Sequence, residues 1–275
     1  MALTSPKPTR VRLEGGLELW CLDPFEAQFL QHDVGAYFEG GVALEPGATV
    51  LDVGANIGLF SAEVSRRLSG QAHVLAFEPL PPVHEVLALN AALLAGDVVA
   101  LPFGLSDVEA TLEFSFFPLM SCLSSVHRGE ADLATERQRV AASLLEIIKS
   151  GQAMPQLRFL PGPMLEGFVD GYVKSRLKIQ RHPAQVRPLS AVLAEREVMQ
   201  VDLLKIDVEG AEEAVLDGIA AEHWPRIRQV VLELERYAAR IEPVSRRLEG
   251  LGFRVEGTQD SAQATGDYGL VYALR

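Results

Sequence analysis

Short apolar runs that end in an acidic residue or a glycine recur along this chain of 275 residues. In the first of them, residues 48–53 predict a buried strand, and Gly54 and Gly58 predict a tight turn after it. Apolar residues at helical spacing follow and predict a helix over 57–69. The first turn of that helix would present unpaired N–H groups and a positive dipole end to a ligand.

Three further runs predict strands with the same kind of ending: residues 73–77 before Glu78, residues 98–105 before Ser106 and Asp107, and residues 201–206 before Asp207. In an open α/β sheet, ligands bind in the crevice at the carboxyl ends of the strands. The sequence therefore predicts a binding site where these polar residues meet.

The remaining elements complete the sheet and flank it. They are a hairpin over 11–22, a helix-and-turn segment over 24–41, a strand over 228–235 that contains Glu233 and Glu235, a helix over 241–250, and a closing hairpin of 253–257 and 268–274.

Residues 118–186 interrupt the alternation of strands and helices. They carry helical apolar stripes over 131–150 and from 161 to 180, which predict a helical cap or lid. We therefore expect a single domain over 1–275, with an N-terminal extension over 1–47 and this cap.

The net charge of the chain limits the classes of partner that it can bind. A net charge of −12 counts against nucleic acid as a partner, because such binding depends on Lys and Arg that neutralise phosphates. Cys21 and Cys122 are far apart and outside any C-x-x-C motif, which predicts two reduced thiols. With no signal peptide and no apolar stretch near the ~20 residues of a membrane span, we expect a cytoplasmic protein that acts on a small-molecule acceptor.

The glycine turn distinguishes between nucleotide ligands. Asp52 lies two residues before Gly54, where a carboxylate would crowd the pyrophosphate of a dinucleotide. It suits a ligand with a cationic amino group, such as the methionine part of S-adenosylmethionine (SAM). Glu78, 24 residues after Gly54, is positioned to accept the two hydroxyls of a ribose. Ser106 and Asp107, which follow the predicted strand over 98–105, suit polar contacts with the edge of an adenine ring.

These motifs resemble those of class I SAM-dependent methyltransferases, and specifically the FkbM type. The residues that carry the resemblance are Asp52-Val-Gly-Ala-Asn-Ile-Gly58, Phe77-Glu-Pro79, Leu105-Ser-Asp107 and Leu203-Leu-Lys-Ile-Asp-Val-Glu-Gly-Ala-Glu212. Segments 28–41 and 116–127 are similar to FkbM-type domains embedded in polyketide and nonribosomal peptide synthases.

The resemblance implies a Rossmann-like fold with a seven-stranded, mostly parallel sheet of order 3-2-1-4-5-7-6 and helices on both faces. It also implies that SAM is the cofactor. The SAM-binding positions that match the family motifs are Asp52, Gly54, Asn56, Gly58, Glu78, Ser106 and Asp107.

The acceptor side of the site requires a group that removes a proton, either a base or a divalent metal. Asp207 ends the fourth strand, and Glu233 and Glu235 lie at the end of the fifth, so these three acids are candidates for catalysis. Asp207 and Glu233 are also candidates for two metal ligands. Many relatives carry a histidine two residues after the acid that matches Glu233, where this chain has Glu235. His127 on the predicted cap is a substitute base in one interpretation and a surface residue in the other.

A basic run in the cap also has two interpretations. Its members are Lys174, Arg176, Lys178, Arg181 and His182. The first interpretation, a solvated helix face, is favoured. The second is a docking site for the phosphate of a carrier-bound substrate.

The leading hypothesis is an O-methyltransferase for a hydroxyl of a small natural product, either free or tethered to a carrier protein. The alternatives are an N-methyltransferase, a sugar-hydroxyl methyltransferase, and a SAM-binding module without activity. A dinucleotide-dependent dehydrogenase does not fit the turn pattern.

Overall fold

The computed structural model describes residues 6–126, 133–151, 154–259 and 268–275. The chain begins with an antiparallel hairpin of β1 (Thr9–Arg12) and β2 (Glu18–Cys21), as the alternation predicts. Helix α1 (Pro24–Asp33) begins at Asp23, whose side chain accepts a hydrogen bond from the Glu26 N–H at 3.0 Å. A 3-10 helix (Val34–Phe38) leads from α1 toward the sheet.

The first half of the central sheet alternates strands with helices. Its elements are β3 (Ala48–Val53), α2 (Leu59–Arg67), β4 (Ala72–Phe77), α3 (Pro81–Ala91) and β5 (Asp97–Leu101). Asn90 of α3 fixes the N-terminal hairpin to this half, because its side chain bonds both the N–H and the C=O of Trp20 and the C=O of Ile57.

Residues 104–187 follow and contain the predicted cap over 118–186. Their elements are β6 (Gly104–Leu105), β7 (Ala110–Phe116), α4 (Leu133–Ser150), α5 (Gly162–Arg176) and β8 (Gln180–Arg187). Strand β8 lies between β6 and β7 in a three-stranded sheet. The two helices pack on an apolar cluster that includes Phe117, Ile148 and Val169.

The prediction that the second cap helix continues through Gln180 is therefore wrong, because α5 ends at Arg176 and Gln180 begins β8. Only Ala184 and Val186 are apolar in β8, and Pro183 interrupts it, so the segment has little strand pattern of its own. Long-range pairing with β7, together with burial of Ala184 and Val186 beside Phe114 and Phe116, makes it a strand.

The second half of the central sheet completes the fold. Its elements are α6 (Leu189–Glu195), β9 (Leu203–Ile206), α7 (Glu212–Asp217), β10 (Gln229–Glu235), α8 (Tyr237–Gly250), β11 (Arg254–Gln259) and β12 (Tyr268–Leu274).

The strands of the central sheet lie in the order β11-β12-β10-β9-β3-β4-β5. β12 runs antiparallel to its neighbours β10 and β11, and the other pairs are parallel. When the seven strands are numbered along the chain and read from the β5 edge, the order is 3-2-1-4-5-7-6. The fold class is the predicted Rossmann-like α/β sheet with helices.

Alternation along the strands assigns side chains to the two faces of this sheet. Leu51, Val53 and Phe77 pack on the face that also contacts Leu189 and Leu216. Val50 and Leu203 pack on the opposite face with Phe60 of α2. Asp52 and Lys205 have the same parity as Val50 and Leu203, so they point toward the α2 face.

None of the helices within the described ranges combines the length and the apolar composition needed to cross a bilayer.

Candidate active site

A cavity of about 1060 Å³ lies between the carboxyl ends of the central strands, helix α1 and the cap. Most of the residues predicted from the sequence line it: Gly54, Asn56, Glu78, Ser106, Asp107, Asp207 and Glu233. Segments separated by up to 179 positions in the chain thus share one wall, as the rule for open α/β sheets predicts.

The glycine turn is closely packed against the neighbouring strand. Gly54 has a φ of +73°, and a Cβ built on it would lie 1.7 Å from the Asp207 carbonyl oxygen. Gly58 has a φ of +89°, and its Cβ would lie 2.8 Å from the Leu87 side chain. Both positions require glycine for the backbone conformation, and Gly54 also for the approach of β3 to the end of β9.

Glu78 lies at the cavity wall with its carboxylate held by the backbone. Its two oxygens accept hydrogen bonds from the N–H groups of Asn56 (3.1 Å) and Leu80 (2.9 Å). Burial raises the pKa of Glu78 to about 7, against these two hydrogen bonds and the nearby charge of Lys205, which lower it. The carboxyl is therefore fixed in orientation and open to the cavity.

Asp52 has different surroundings. Its side chain is fully buried and does not line the cavity. One oxygen accepts a hydrogen bond from Ser61 of α2 at 2.7 Å, and the other lies 3.2 Å from the Lys205 ammonium. The sequence interpretation that Asp52 itself receives a cationic ligand stays a prediction, and this placement gives the carboxylate a protein partner instead.

Lys205 connects this ion pair to the glycine turn. Its ammonium donates a hydrogen bond to the Gly54 carbonyl oxygen at 2.9 Å and lies 3.5 Å from Asp207. Burial by itself lowers the pKa of Lys205, but the charges of Asp52 and Asp207 outweigh it and the pKa is raised. The lysine is therefore charged, and its hydrogen bond to Gly54 holds the glycine turn in place.

Ser106 and Asp107, which follow β6, also line the cavity. The Ser106 hydroxyl donates a hydrogen bond to Asp107 at 3.0 Å, and the Ser106 N–H bonds the Arg187 carbonyl oxygen. Ser106 is buried and Asp107 is exposed. The pair forms a polar rim opposite the apolar cap, where the sequence predicts the adenine contact.

Asp207 and Glu233 meet across one phenol. The Tyr37 hydroxyl oxygen lies 3.0 Å from Asp207 Oδ2 and 2.8 Å from Glu233 Oε2. Burial raises the pKa of Glu233 to about 8, and the charge of Asp207 adds to this effect. Burial likewise raises the pKa of Tyr37 well above its usual range, with Asp207 and Glu233 contributing.

Proton counting assigns roles within this triad. The phenol carries a single proton and can donate it to only one carboxylate. The second short contact therefore requires a proton on the other acid, and Glu233, with the raised pKa, is the one that holds it near neutral pH. Asp207, whose side chain is 30% exposed, lines the cavity beside it.

Of the other two predicted catalytic residues, the structure describes only Glu235, and it does not join this triad. Glu235 accepts a hydrogen bond from the Tyr268 hydroxyl at 2.8 Å and does not line the cavity. His127 lies outside the described residues. The assignment of Asp207 and Glu233 to the acceptor side of the site stays a prediction.

The metal alternative has a limited ligand set. Within the described part of the chain, no group of three or more His, Cys, Asp and Glu side chains comes together in a way that would hold a metal ion. The ammonium of Lys205 also lies beside Asp207, where it would repel a cation. A metal shared by Asp207 and Glu233 remains a prediction.

Sequence reasoning missed two cavity residues of the N-terminal extension, Glu26 and Tyr37. Tyr37 lies in the helix-and-turn segment over 24–41, where the sequence favours core packing of the aromatic residues over a cover for the cofactor. It does stack edge-on with Phe60, but its hydroxyl reaches the acids. No local signal identifies these contacts, because Tyr37 and Glu233 are 196 positions apart.

The basic run of the cap does not form one surface. Arg176 pairs with Asp23 at 2.9 Å, and Arg181 donates a hydrogen bond to Ser115 at 2.7 Å. The His182 ring packs against Phe116. Lys174 and Lys178 remain exposed, which favours the interpretation of a solvated face over that of a phosphate dock.

Comparison with known proteins gives a family match over most of the chain. The family model described as the methyltransferase FkbM domain matches residues 52–255. The chain is 33% identical over 270 residues to the 31-O-demethyl-FK506 methyltransferase FkbM of Streptomyces tacrolimicus, covering 96% of each protein.

A second relative is much longer than this chain. The AMB antimetabolite synthetase AmbE of Pseudomonas aeruginosa is 35% identical over 244 residues, which is 87% of this chain but only 11% of that protein. Among solved structures, a methyltransferase FkbM from Methylobacillus flagellatus matches with 13% identity and a TM-score of 0.48, over 85% of this chain and 45% of that one.

Proposed function

Because the chain belongs to the FkbM family of SAM-dependent methyltransferases, we propose that it transfers the methyl group of SAM to a hydroxyl oxygen of a small natural-product acceptor. The observation that carries this proposal is the Asp207–Tyr37–Glu233 triad, which faces the same cavity as Glu78 and the glycine turn.

The cavity fits the cofactor on its strand side. Glu78 offers a backbone-fixed carboxyl to the ribose hydroxyls, and Gly54 and Asn56 expose the turn to the rest of the ligand. Ser106 and Asp107 provide the polar rim for the adenine edge. A volume of about 1060 Å³ exceeds the typical range for a single small ligand, so room for an acceptor remains.

Bound SAM supplies an already activated methyl group on a sulfonium, so the protein mainly aligns the acceptor and removes its proton. Asp207 accepts the proton of the acceptor hydroxyl as the methyl group leaves sulfur and its new bond to oxygen forms. Tyr37 holds Asp207 in orientation through its hydrogen bond. Glu233 keeps its own proton and so adds no negative charge beside Asp207.

The cap side of the cavity is apolar and selects the acceptor skeleton. Its lining includes Phe114, Leu123, Val140, Leu144 and Ile147. Such a wall suits a hydrocarbon-rich acceptor that presents one hydroxyl toward Asp207.

The acceptor is either a free small molecule or one that is tethered to a carrier protein, which are the two forms that the sequence suggests. The relative from Pseudomonas aeruginosa is named a synthetase, and the chain resembles a small part of it. A tethered acceptor is therefore the second form to assay, with acyl groups presented on an isolated carrier protein.

The test is methyl transfer from SAM labelled in the methyl group to hydroxylated acceptors and to their matched amino analogues, with the methylated atom located by NMR. We expect label on oxygen, and Asp207→Asn should lower kcat by about 10²–10⁴-fold, as loss of a general base does. Asp170→Asn, on the outer face of α5, is the matched control and should keep wild-type rates.

Transfer to the amino analogues alone would refute O-methylation. Wild-type kcat in the Asp207→Asn variant would refute the assignment of the base. Loss of activity on chelation that returns with a divalent metal would favour the metal alternative over a free carboxylate base.

A further inference from the structure

Buried carboxylates in this protein differ in whether a cation accompanies them. Within the described residues, the buried acids are Asp23, Glu26, Asp52, Glu78 and Glu212. Three of them form ion pairs: Asp23 with Arg176 at 2.9 Å, Asp52 with Lys205 at 3.2 Å, and Glu212 with Arg240 at 2.6 Å. This is the usual arrangement, because an isolated buried charge is costly.

Glu26 and Glu78 are the two that no cation of the described residues contacts, and both line the cavity. Burial raises the pKa of each carboxyl to about 7. The unpaired acids therefore coincide with the site of the ligand. The ribose hydroxyls are the expected ligand partner of Glu78, but the proposed function assigns no ligand group to Glu26.

The hydrogen-bond partners of Glu26 are all neutral. Its Oε1 accepts a bond from the Ser121 hydroxyl at 3.1 Å and from the Cys122 N–H at 2.8 Å, and the Cys122 thiol also bonds the carboxyl. These donors come from the cap, while Glu26 itself comes from α1. They orient the carboxyl at the cavity wall without neutralising its charge.

Glu26 also lies close to the glycine turn. The Ser121 hydroxyl that bonds Glu26 accepts a hydrogen bond from the Asn56 side chain at 3.1 Å. The Asn56 N–H in turn donates to Glu78 at 3.1 Å. The two unpaired acids thus flank the same residue of the turn and are joined through it.

SAM offers one group to each of these acids. It carries two ribose hydroxyls on one side of its sulfur and one α-ammonium at the end of its methionine part. Asp52, the acid expected from the sequence to receive that ammonium, is already paired with Lys205. We propose that Glu26 binds the α-ammonium of the methionine part, an inference that rests on the proposed function.

The test is a cycle of protein and ligand changes, measured by calorimetric titration without turnover. The ligands are S-adenosylhomocysteine and its analogue in which hydrogen replaces the α-amino group. We expect the wild type to prefer the amino form by about 10-fold or more, since a hydrogen bond between two charged groups is lost in the analogue. In Glu26→Gln the preference should fall below about twofold. Glu166→Gln, on the exposed face of α5, should keep the wild-type preference.

Equal weakening of both ligands in Glu26→Gln would show that Glu26 only shapes the cavity, and this would overturn the proposal. An unchanged preference would overturn it as well. If Glu26→Gln does not fold, Glu26→Asp keeps the charge but shortens its reach. It should reduce the preference several-fold, and an undiminished preference would contradict the proposal. Failure of the wild type to bind either ligand would instead refute the proposed function.

Discussion

Asp52 and Glu78 stand at the carboxyl ends of adjacent parallel strands, yet the structure gives them opposite surroundings. Asp52 is sealed beneath the glycine turn with Lys205 and Ser61. Glu78 faces the cavity, bonded only to backbone N–H groups. One acid therefore supports the turn, while the other remains available to a ligand.

The difference comes from position relative to the end of the strand. Asp52 is the last residue but one of β3, and its register partner on β9 is Lys205, so the two side chains lie next to each other on the α2 face. Glu78 follows the last residue of β4, where it is released from the alternation of the strand. A displacement of two residues along the strand separates an acid that is buried in an ion pair from one that faces the cavity.

Removal of the cation beneath the turn should have the largest effect. Lys205→Met leaves the Asp52 carboxylate buried without a compensating cation, which we expect to lower the free energy of unfolding by about 3–5 kcal/mol. Urea unfolding at pH 7.5 measures this loss. Lys174→Met on the exposed face of α5 is the control.

The double variant Asp52→Asn with Lys205→Met removes both charges and should recover a large part of that stability. A loss below about 1 kcal/mol in the single variant would mean that the pair contributes little to the support of the turn.

The unpaired acids should make stability depend on pH. A carboxyl with a folded pKa of about 7 and an unfolded value of 4.5 binds more protons in the folded state between these two values. The stabilisation that such a carboxyl gives to the folded state is present in full below pH 4.5 and is lost as pH rises through about 7. Removing both acids in Glu26→Gln with Glu78→Gln should flatten this decline by about 1–3 kcal/mol per acid between pH 5 and pH 8.

Glu63 on α2 provides a control whose effect on stability has the opposite dependence on pH. Hydrogen bonds and charges from Arg66 and Arg67 lower the pKa of Glu63. Its contribution is therefore present above pH 4.5 and is lost at lower pH, so Glu63→Gln should be less stable than the wild type at pH 8 and equal to it in acid. A steep decline that persists in the double variant would indicate that other groups, such as Glu233, cause it.

The smallest expected change concerns the ligand alone. Glu78→Gln should weaken S-adenosylhomocysteine binding by about 10-fold through poorer contacts with the ribose hydroxyls. It should keep the preference for the amino form over the deaminated analogue, because Glu26 is intact. Titration of both ligands measures this, with Glu85→Gln on the exposed face of α3 as control. Wild-type affinity in Glu78→Gln would refute the ribose role.

The sequence by itself determined the sheet and the chemical character of one edge of it. Apolar runs followed by Gly54, Glu78 and Asp207 are local patterns, and local patterns suffice to predict strands, turns and the side of the sheet where polar groups collect. Gly54 was predicted as a turn glycine, although the atom that it avoids, the Asp207 carbonyl oxygen, lies on another strand.

Only the tertiary structure decided which acids pair with cations and which face the cavity. Lys205 lies next to Asp52 through strand register, and Tyr37 and Glu26 reach the site from the N-terminal extension across long separations in the chain. β8 became a strand by pairing with β7. These outcomes depend on the burial and proximity that folding creates, and no stretch of residues carries them alone.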